Sequence, residues 1–300
     1  MKSILVIGSS NTDMVITSPE LPMPGETILG GEFFMNAGGK GANQAVAAVR
    51  MGAEVTLLAK VGMDVFGEQA VTRFQEEGIQ TQYVLRDPDL PSGVALIMVD
   101  EHGENLISVA PGANADLRPE DIQAQAAAIR EAGILLLQLE TPMATVSAAM
   151  KMAAAAGKQI ILNPAPAAVL SEELLSNVTI LTPNEHEAGM LSGVPVTDVS
   201  SAKEAASRLR HAGAKTVIIT MGALGVLLAT EEGSMMIPAP EVNVVDTTAA
   251  GDTFNGALAA CLARGDSLDQ AVRTAVMAAS ISVTRSGAQA SCPFLSELSF

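Results

Sequence analysis

Aromatic residues are scarce in this chain: they make up 3% of its 300 residues, with no Trp and a single Tyr, Tyr83. A protein so poor in stacking side chains lacks the usual means of holding unstacked bases, which argues against single-stranded nucleic acid as a partner. Positive charge is short as well: 17 Lys and Arg stand against 33 Asp and Glu, a formal charge of −16. A surface that acidic repels nucleic acid and anionic lipid. It does not exclude a small anion such as ATP, which backbone N–H groups, a helix terminus and a metal ion can hold in a buried site. Only two cysteines occur, Cys261 and Cys292, too few for a disulfide framework and in keeping with a reducing compartment. The three histidines, His102, His186 and His211, have no ligand-like spacing, which argues against a His-based transition-metal centre. The apolar run near the N-terminus is too short for a signal peptide, and no uninterrupted apolar stretch reaches membrane-spanning length. The expectation is a cytoplasmic protein with no membrane and no nucleic acid among its partners.

What the chain does have is aliphatic residues: 48% of it is hydrophobic, so a large core can be built from Ala, Val, Leu, Ile and Met. Its length suits one large α/β domain. Short β-branched runs at 4–8, 55–59, 134–138, 159–162, 178–181 and 216–220 alternate with Ala-rich helical segments at 43–51, 67–77, 119–131, 145–156 and 200–212. That alternation predicts a Rossmann-like, mostly parallel sheet with helices on both faces, and ligands in such sheets bind beyond the carboxyl ends of the strands. Two strand pairs break the pattern, 14–17 with 27–35 and 94–100 with 105–109, the second around the hairpin turn EHGE. These are read as a small antiparallel β-sheet inserted into the main domain, over segments of about 12–36 and 93–110. Such a sheet can serve as a lid or a dimer interface, or can be no more than a pair of surface hairpins.

Four motifs carry chemistry. The first runs Asp246-Thr247-Thr248-Ala249-Ala250-Gly251-Asp252-Thr253-Phe254, between a strand-like stretch at 242–245 and an apolar helix at 254–263. Small residues at 249–251 let a ligand approach the backbone, and their N–H groups fall where helix N-termini bind phosphate. A carboxylate there can take a proton from an attacking hydroxyl, although Asp252 could equally be a helix cap. The second is Asn36-Ala37-Gly38-Gly39-Lys40-Gly41-Ala42-Asn43-Gln44, a polar glycine-rich loop feeding a helix, suited to a polyol or simply a turn with a solvated Lys. It is not a Walker A loop, because Gly41 stands where Ser or Thr is required. The third is Thr182-Pro183-Asn184-Glu185-His186-Glu187. Asn184 and Glu187, three apart, could serve Mg²⁺ directly or through water, or form an ordinary helix cap. The fourth is Thr220-Met221-Gly222-Ala223-Leu224-Gly225, a turn that could rest against a nucleotide or merely connect a hairpin. Asn11, Asp13 and Glu140 add polar groups at strand ends. The turn after the first strand, Gly8-Ser9-Ser10-Asn11, lacks the dinucleotide fingerprint GxGxxG, which argues against a nicotinamide enzyme.

Taken together, GGKGANQAVAA (38–48), DTTAAGDTFNGAL (246–258), NPAPA (163–167), TPNEHEA (182–188) and TRSGAQ (284–289) resemble the signatures of the ribokinase-type family of sugar and nucleoside kinases. The resemblance runs from near Ser3 to the C-terminus. It implies a Rossmann-like domain with a β-lid, commonly a homodimer through that lid. It also implies transfer of the γ-phosphate of ATP to the 5-hydroxyl of D-ribose. On the same basis Asp252 is the base, and Ala249, Ala250 and Gly251 form an anion hole. Asn11, Asp13, Gly38, Gly39, Lys40, Asn43 and Glu140 hold the sugar together with Asp252. Asn184, Thr220, Met221, Gly222, Ala223, Leu224, Gly225 and Gly251 contact ATP, and Glu187 organises Mg²⁺, through water. Asp246, Thr248, Ser282, Arg285, Gly287 and Ser291 match a monovalent cation site, for K⁺, some through backbone carbonyls. The chain departs from the family in having Ala249 where GAGD is usual, and an apolar Val276 where relatives often place a polar neighbour of the adenine. Another furanose (2-deoxyribose, fructose or a nucleoside) or a sugar-binding regulator on the same fold are the alternative readings.

Overall fold

A computed structural model describes residues 2–298. In chain order its strands are β1 (Ile4–Ile7), β2 (Asn11–Thr17), β3 (Glu32–Gly38), β4 (Val55–Gly62), β5 (Gln80–Asp87), β6 (Gly93–Val99), β7 (Asn105–Ala110), β8 (Ile134–Leu137), β9 (Gln159–Leu162), β10 (Ile180–Leu181), β11 (Thr216–Thr220), β12 (Val226–Thr230) and β13 (Gly233–Ile237). The helices are α1 (Lys40–Arg50), α2 (Val65–Glu76), α3 (Pro119–Ala124), α4 (Ala126–Glu131), α5 (Met143–Ala155), α6 (Glu172–Leu175), α7 (Glu185–Ser192), α8 (Val199–His211), α9 (Ala250–Arg264) and α10 (Leu268–Ser282).

Nine strands form the main sheet in the order β13-β12-β11-β10-β9-β8-β1-β4-β5. It is parallel from β5 to β11, and β12 and β13 close its far edge as antiparallel strands. The central strand shows why the layers form. Ile4 and Val6 of β1 pack with Ala45, Phe254 and Val272 from α1, α9 and α10. Leu5 and Ile7 pack on the opposite face with Val146, Met150 and Ala205 from α5 and α8. Period-two alternation thus feeds two cores, each covered by helices, and leaves no sheet face for water.

The second sheet has four strands in the order β3-β2-β6-β7. Its two hairpins are antiparallel as the sequence predicts, and a parallel pairing of β2 with β6 joins them. One end of β2 sits at the main sheet, with Asn11 opposite Gly38 and Asp13 opposite Asn36.

Several boundaries differ from expectation. The first hairpin pairs 11–17 with 32–38, and 27–31 has no strand partner. The stretch 242–245 is not a strand: Val245 N and Asp246 N both donate to Val283 O at the end of α10, and Val242 and Val244 face a cavity. Its β-branched residues serve as a wall rather than a ladder. The helix expected over 119–131 divides at Gln125 into α3 and α4. Strands β5, β12 and β13 and helices α6, α7 and α10 come in addition to the elements read from the sequence.

Candidate active site

The first turn of α9 decides how Asp252 is used. The helix begins at Ala250, four residues earlier than the apolar pattern predicts, and its N-cap position is Ala249 at φ 58°. Ala249 is the sole non-glycine residue with positive φ among those described, a conformation that L-residues pay about 1–2 kcal/mol to adopt. Asp252 lies inside the turn and is not its cap. It is 5% exposed, and its two oxygens accept from two side-chain amides of α1: Oδ2 from Asn43 Nδ2 and Oδ1 from Gln44 Nε2, both at 2.9 Å. Burial pushes its carboxyl above the usual range, and Lys40, Asn43 and Gln44 act against that shift. The two helices come this close because residue 256 is glycine. A Cβ there would stand 2.5 Å from both Ala47 Cβ and Gln44 O.

Beside Asp252 the ends of β1, β2, β3 and β8 converge. Glu140, just beyond β8, accepts from Ser9 Oγ at 2.5 Å and from Lys40 N at 2.9 Å. Asn11 Oδ1 accepts from Asn114 Nδ2 at 2.8 Å. Asp13 is pushed up to about 6 by burial, reinforced by the charges of Glu140 and Asp252. Lys40 is partly buried; desolvation alone would lower its ammonium, yet the carboxylates of Asp252, Glu140 and Glu187 carry it above its ordinary value. Glycines make the convergence possible. A Cβ on Gly38 would fall 2.2 Å from Asp13 Oδ2, and one on Gly41 2.6 Å from the backbone of Gly8 and Ser9. Gly39 sits at φ 88° as the cap of α1. All the residues expected to hold a sugar therefore meet in one place.

On the other side of the α9 N-terminus lies a cavity of about 410 Å³, within the size range of small-ligand sites. Thr220, Gly222, Ala223, Gly225, Ala250 and Gly251 line it. Of the other residues expected there, Met221 is packed into the core and Leu224 is exposed; neither lines the cavity, and nor does Asn184. The turn 220–225 is also what its plainer reading said, the connection of the antiparallel pair β11–β12. Sequence reading missed the far wall, which is Ala239, Pro240, Glu241, Val242 and Val244 together with Ala279, Ser280 and Val283. Val276 lines the cavity as an apolar side chain, as its chemistry dictates.

Asn184 and Glu187 form a reciprocal cap on α7: Glu187 N donates to Asn184 Oδ1 and Asn184 N to Glu187 Oε2, each at 2.8 Å. The cap reading therefore holds, and it leaves Glu187 Oε1 without a hydrogen bond among the described residues. Burial raises the Glu187 carboxyl. No three His, Cys, Asp or Glu side chains come together as a metal-binding group among the described residues.

Asp246 ties the loop before α9 to the C-terminal segment. It accepts from Thr248 N and from Gly287 N, both at 2.8 Å. Burial would raise its carboxyl, but these donors outweigh it and hold it below the usual range. Ser282 and Ser291 are buried nearby in sequence, each donating to a carbonyl of its own turn. The Arg285 side chain pairs with Glu297 at 2.5 Å.

A family model described as pfkB family carbohydrate kinase matches residues 1–295. The chain belongs to that family. It is 44% identical to the ribokinase of Haemophilus influenzae over 292 residues, 97% of this chain and 95% of that one. It is 37% identical to the deoxyribokinase of Salmonella typhi over 98% of this chain and 96% of that one. A solved structure of Arabidopsis thaliana ribokinase complexed with ribose and ATP matches with a TM-score of 0.93 at 32% identity, covering 98% of this chain and 96% of that one.

Proposed function

We propose that this enzyme phosphorylates D-ribose at its 5-hydroxyl with ATP, with Asp252 as the base. One observation carries the reading. A buried carboxylate, held by two amides, sits in the first turn of a helix whose first two residues, Ala250 and Gly251, line the cavity. A hydroxyl on one side of α9 and a phosphate on the other would meet at that turn. Asp252 takes the hydroxyl proton, and the N–H groups of Ala249, Ala250 and Gly251 stabilise charge on the transferring group. Positioning and charge are what this reaction asks of a protein.

Asn11, Asp13, Gly38, Gly39, Lys40, Asn43 and Glu140 hold the sugar. Asn43 Oδ1 is buried without a partner in the described structure and fits a hydroxyl donor. Glu187, with one oxygen free of hydrogen bonds, would hold Mg²⁺ carried in with ATP, directly or through water, and the ion would supply positive charge against the phosphates. Asp246, Thr248, Ser282, Arg285, Gly287 and Ser291 would hold a monovalent cation such as K⁺, which would brace the anion hole. The small sheet is the lid of a single kinase domain. On one of its faces the apolar side chains of Ile16, Phe33, Met35 and Leu96 are 40%, 58%, 49% and 55% exposed, and they make it the face of a homodimer. Buried, unpaired Cys261 and Cys292 accord with a cytoplasmic setting, and no helix among the described residues is long and apolar enough to cross a membrane.

The test is ADP release over a panel of ribose, 2-deoxyribose, fructose and nucleosides, each with and without K⁺. Ribose is expected to be fastest and K⁺ to accelerate it. The similarity to a deoxyribokinase makes 2-deoxyribose the competing substrate, and faster turnover of it would overturn the choice of sugar. Ribose binding with no turnover of any sugar would instead favour a regulator.

A further inference from the structure

We infer that Gln44 is the positioning residue of the base: a one-way chain of buried amides lets it only donate to Asp252. The chain is anchored at a group whose role is not open to choice, the backbone carbonyl of Thr182. Asn163 Nδ2 donates to that oxygen at 3.0 Å, which fixes the Asn163 amide and turns its Oδ1 towards Gln44. Gln44 Nε2 donates to Asn163 Oδ1 at 3.1 Å and to Asp252 Oδ1 at 2.9 Å. Gln44 Oε1 in turn accepts from Gln138 Nε2 at 2.6 Å. Turning the Gln44 amide over would set its oxygen against a carboxylate and a second amide oxygen at once, and its nitrogen against another nitrogen. Amide orientation follows from such networks, and here the network has one solution.

The fold spends space on this chain. Gln44, Gln138 and Asn163 are 0%, 1% and 6% exposed. Gly8 has no side chain where Gln138 Oε1 lies, and a Cβ there would come within 2.1 Å of it. Gln138 Oε1 has no partner, a cost the fold accepts to keep the polarity of the chain. From Thr182 the chain also reaches the start of α9. Thr182 Oγ1 donates to Asn255 Oδ1 at 2.6 Å, and Asn255 Nδ2 donates to Gly251 O at 2.8 Å. Base and anion hole thus share one scaffold.

An amide donor stabilises an ionised carboxylate more than a protonated one, whose oxygens accept more weakly. Without Gln44 the base would ionise only at higher pH, and its unheld oxygen could turn away from the sugar. The charged and titratable groups facing Asp252 are Lys40 from α1, Asp13 from β2, Glu140 after β8, Glu187 from α7 and Cys292 from the C-terminal segment. All of these stay in place when only Gln44 changes.

The inference rests on Asp252 being the base, and the experiment separates the two. Wild type, Gln44→Met, Gln138→Met and Asp252→Asn are assayed with ribose and ATP across pH, with thermal unfolding as the control for folding. Gln44→Met is expected to lower kcat roughly 10- to 100-fold, to leave the KM for ribose within about threefold, and to move the acid limb of kcat/KM to higher pH. Gln138→Met, which removes the donor to Gln44 Oε1 and so loosens the Gln44 side chain without reversing its amide, shifts the limb the same way by less, and it carries the test if Gln44→Met does not fold. An acid limb unmoved in a folded Gln44→Met protein, or in Gln138→Met where that is the only folded variant, overturns the inference while leaving Asp252 as the base. Near-normal turnover by Asp252→Asn overturns the base itself.

Discussion

Around Asp252 directional hydrogen bonds from amides hold the carboxylate to the fold, whereas the cavity beyond Ala250 and Gly251 is walled mostly by Ala, Val and Gly. At the end proposed for the sugar, amide and hydroxyl donors orient the carboxylates of Asp252 and Glu140, and the absence of a side chain at Gly38 makes room for that of Asp13. At the end proposed for the nucleotide, Val242, Val244, Val276 and Ala279 supply apolar walls. The difference teaches where precision is needed. Proton abstraction depends on one lone pair in one place, while a nucleotide is gripped through its phosphates and needs little of the wall beyond packing. Changes at the polar end should therefore be severe and pH-dependent, and changes towards the cavity mild.

Asp252→Asn gives the largest effect: kcat is expected to fall roughly 10²- to 10⁴-fold, the usual share of a general base, with ribose binding by calorimetry retained. Loss of binding together with turnover would mean that the carboxylate grips the sugar rather than activating it.

Asp13→Asn tests the price of that end. The Asp13 carboxyl is raised from 3.8 to about 6 in the fold, so its ionised form destabilises the free protein. The penalty is fully present above about pH 6 and disappears as pH falls towards the unfolded value near 3.8. The substitution should thus stabilise the ligand-free protein by about 1–3 kcal/mol near pH 8, and by nothing at acid pH, while weakening ribose binding. Thermal unfolding at the two pH values checks the first part. A pH-independent change would show that Asp13 is not buried as a charge.

Ala249→Gly, at the junction of the two regions, gives the smallest effect. Removing a Cβ from the left-handed conformation at φ 58° is expected to stabilise the protein by about 0.5–1 kcal/mol in denaturant unfolding, with kcat within about threefold. A large change in kcat would mean that the strained methyl shapes the anion hole.

Much of this was legible in the sequence because strands, glycines and acids obey local rules. The buried run at β1, the glycines at 38, 39 and 41, and Asp252 with its small neighbours all announce themselves. Asn11 and Asp13 stood out as polar residues just after a strand, and the structure sets both on β2. What local rules could not give was choice between roles. Asp252 read equally as a cap, and only the onset of α9 at Ala250, with Asn43 and Gln44 across from it, removed that reading. Asn184 and Glu187 went the other way, and the cap was real. The valines at 242–245 read as a strand because β-branched runs usually pair; here they meet a cavity. Gln44, Gln138 and Asn163 lie far apart in the chain, each an ordinary amide beside a strand or glycine, and only the fold makes them neighbours.

That amide chain also bears on how the enzyme answers its medium. Its members carry no net charge and no counter-ion, and they lie beneath the surface of a protein with a formal charge of −16. Ionic strength screens exposed charges over about 10 Å at 0.1 M and reaches buried dipoles far less. The attachment of the base should then be indifferent to salt. Any salt dependence of turnover would report on the phosphates, the cations that accompany them and the approach of ATP to an acidic surface.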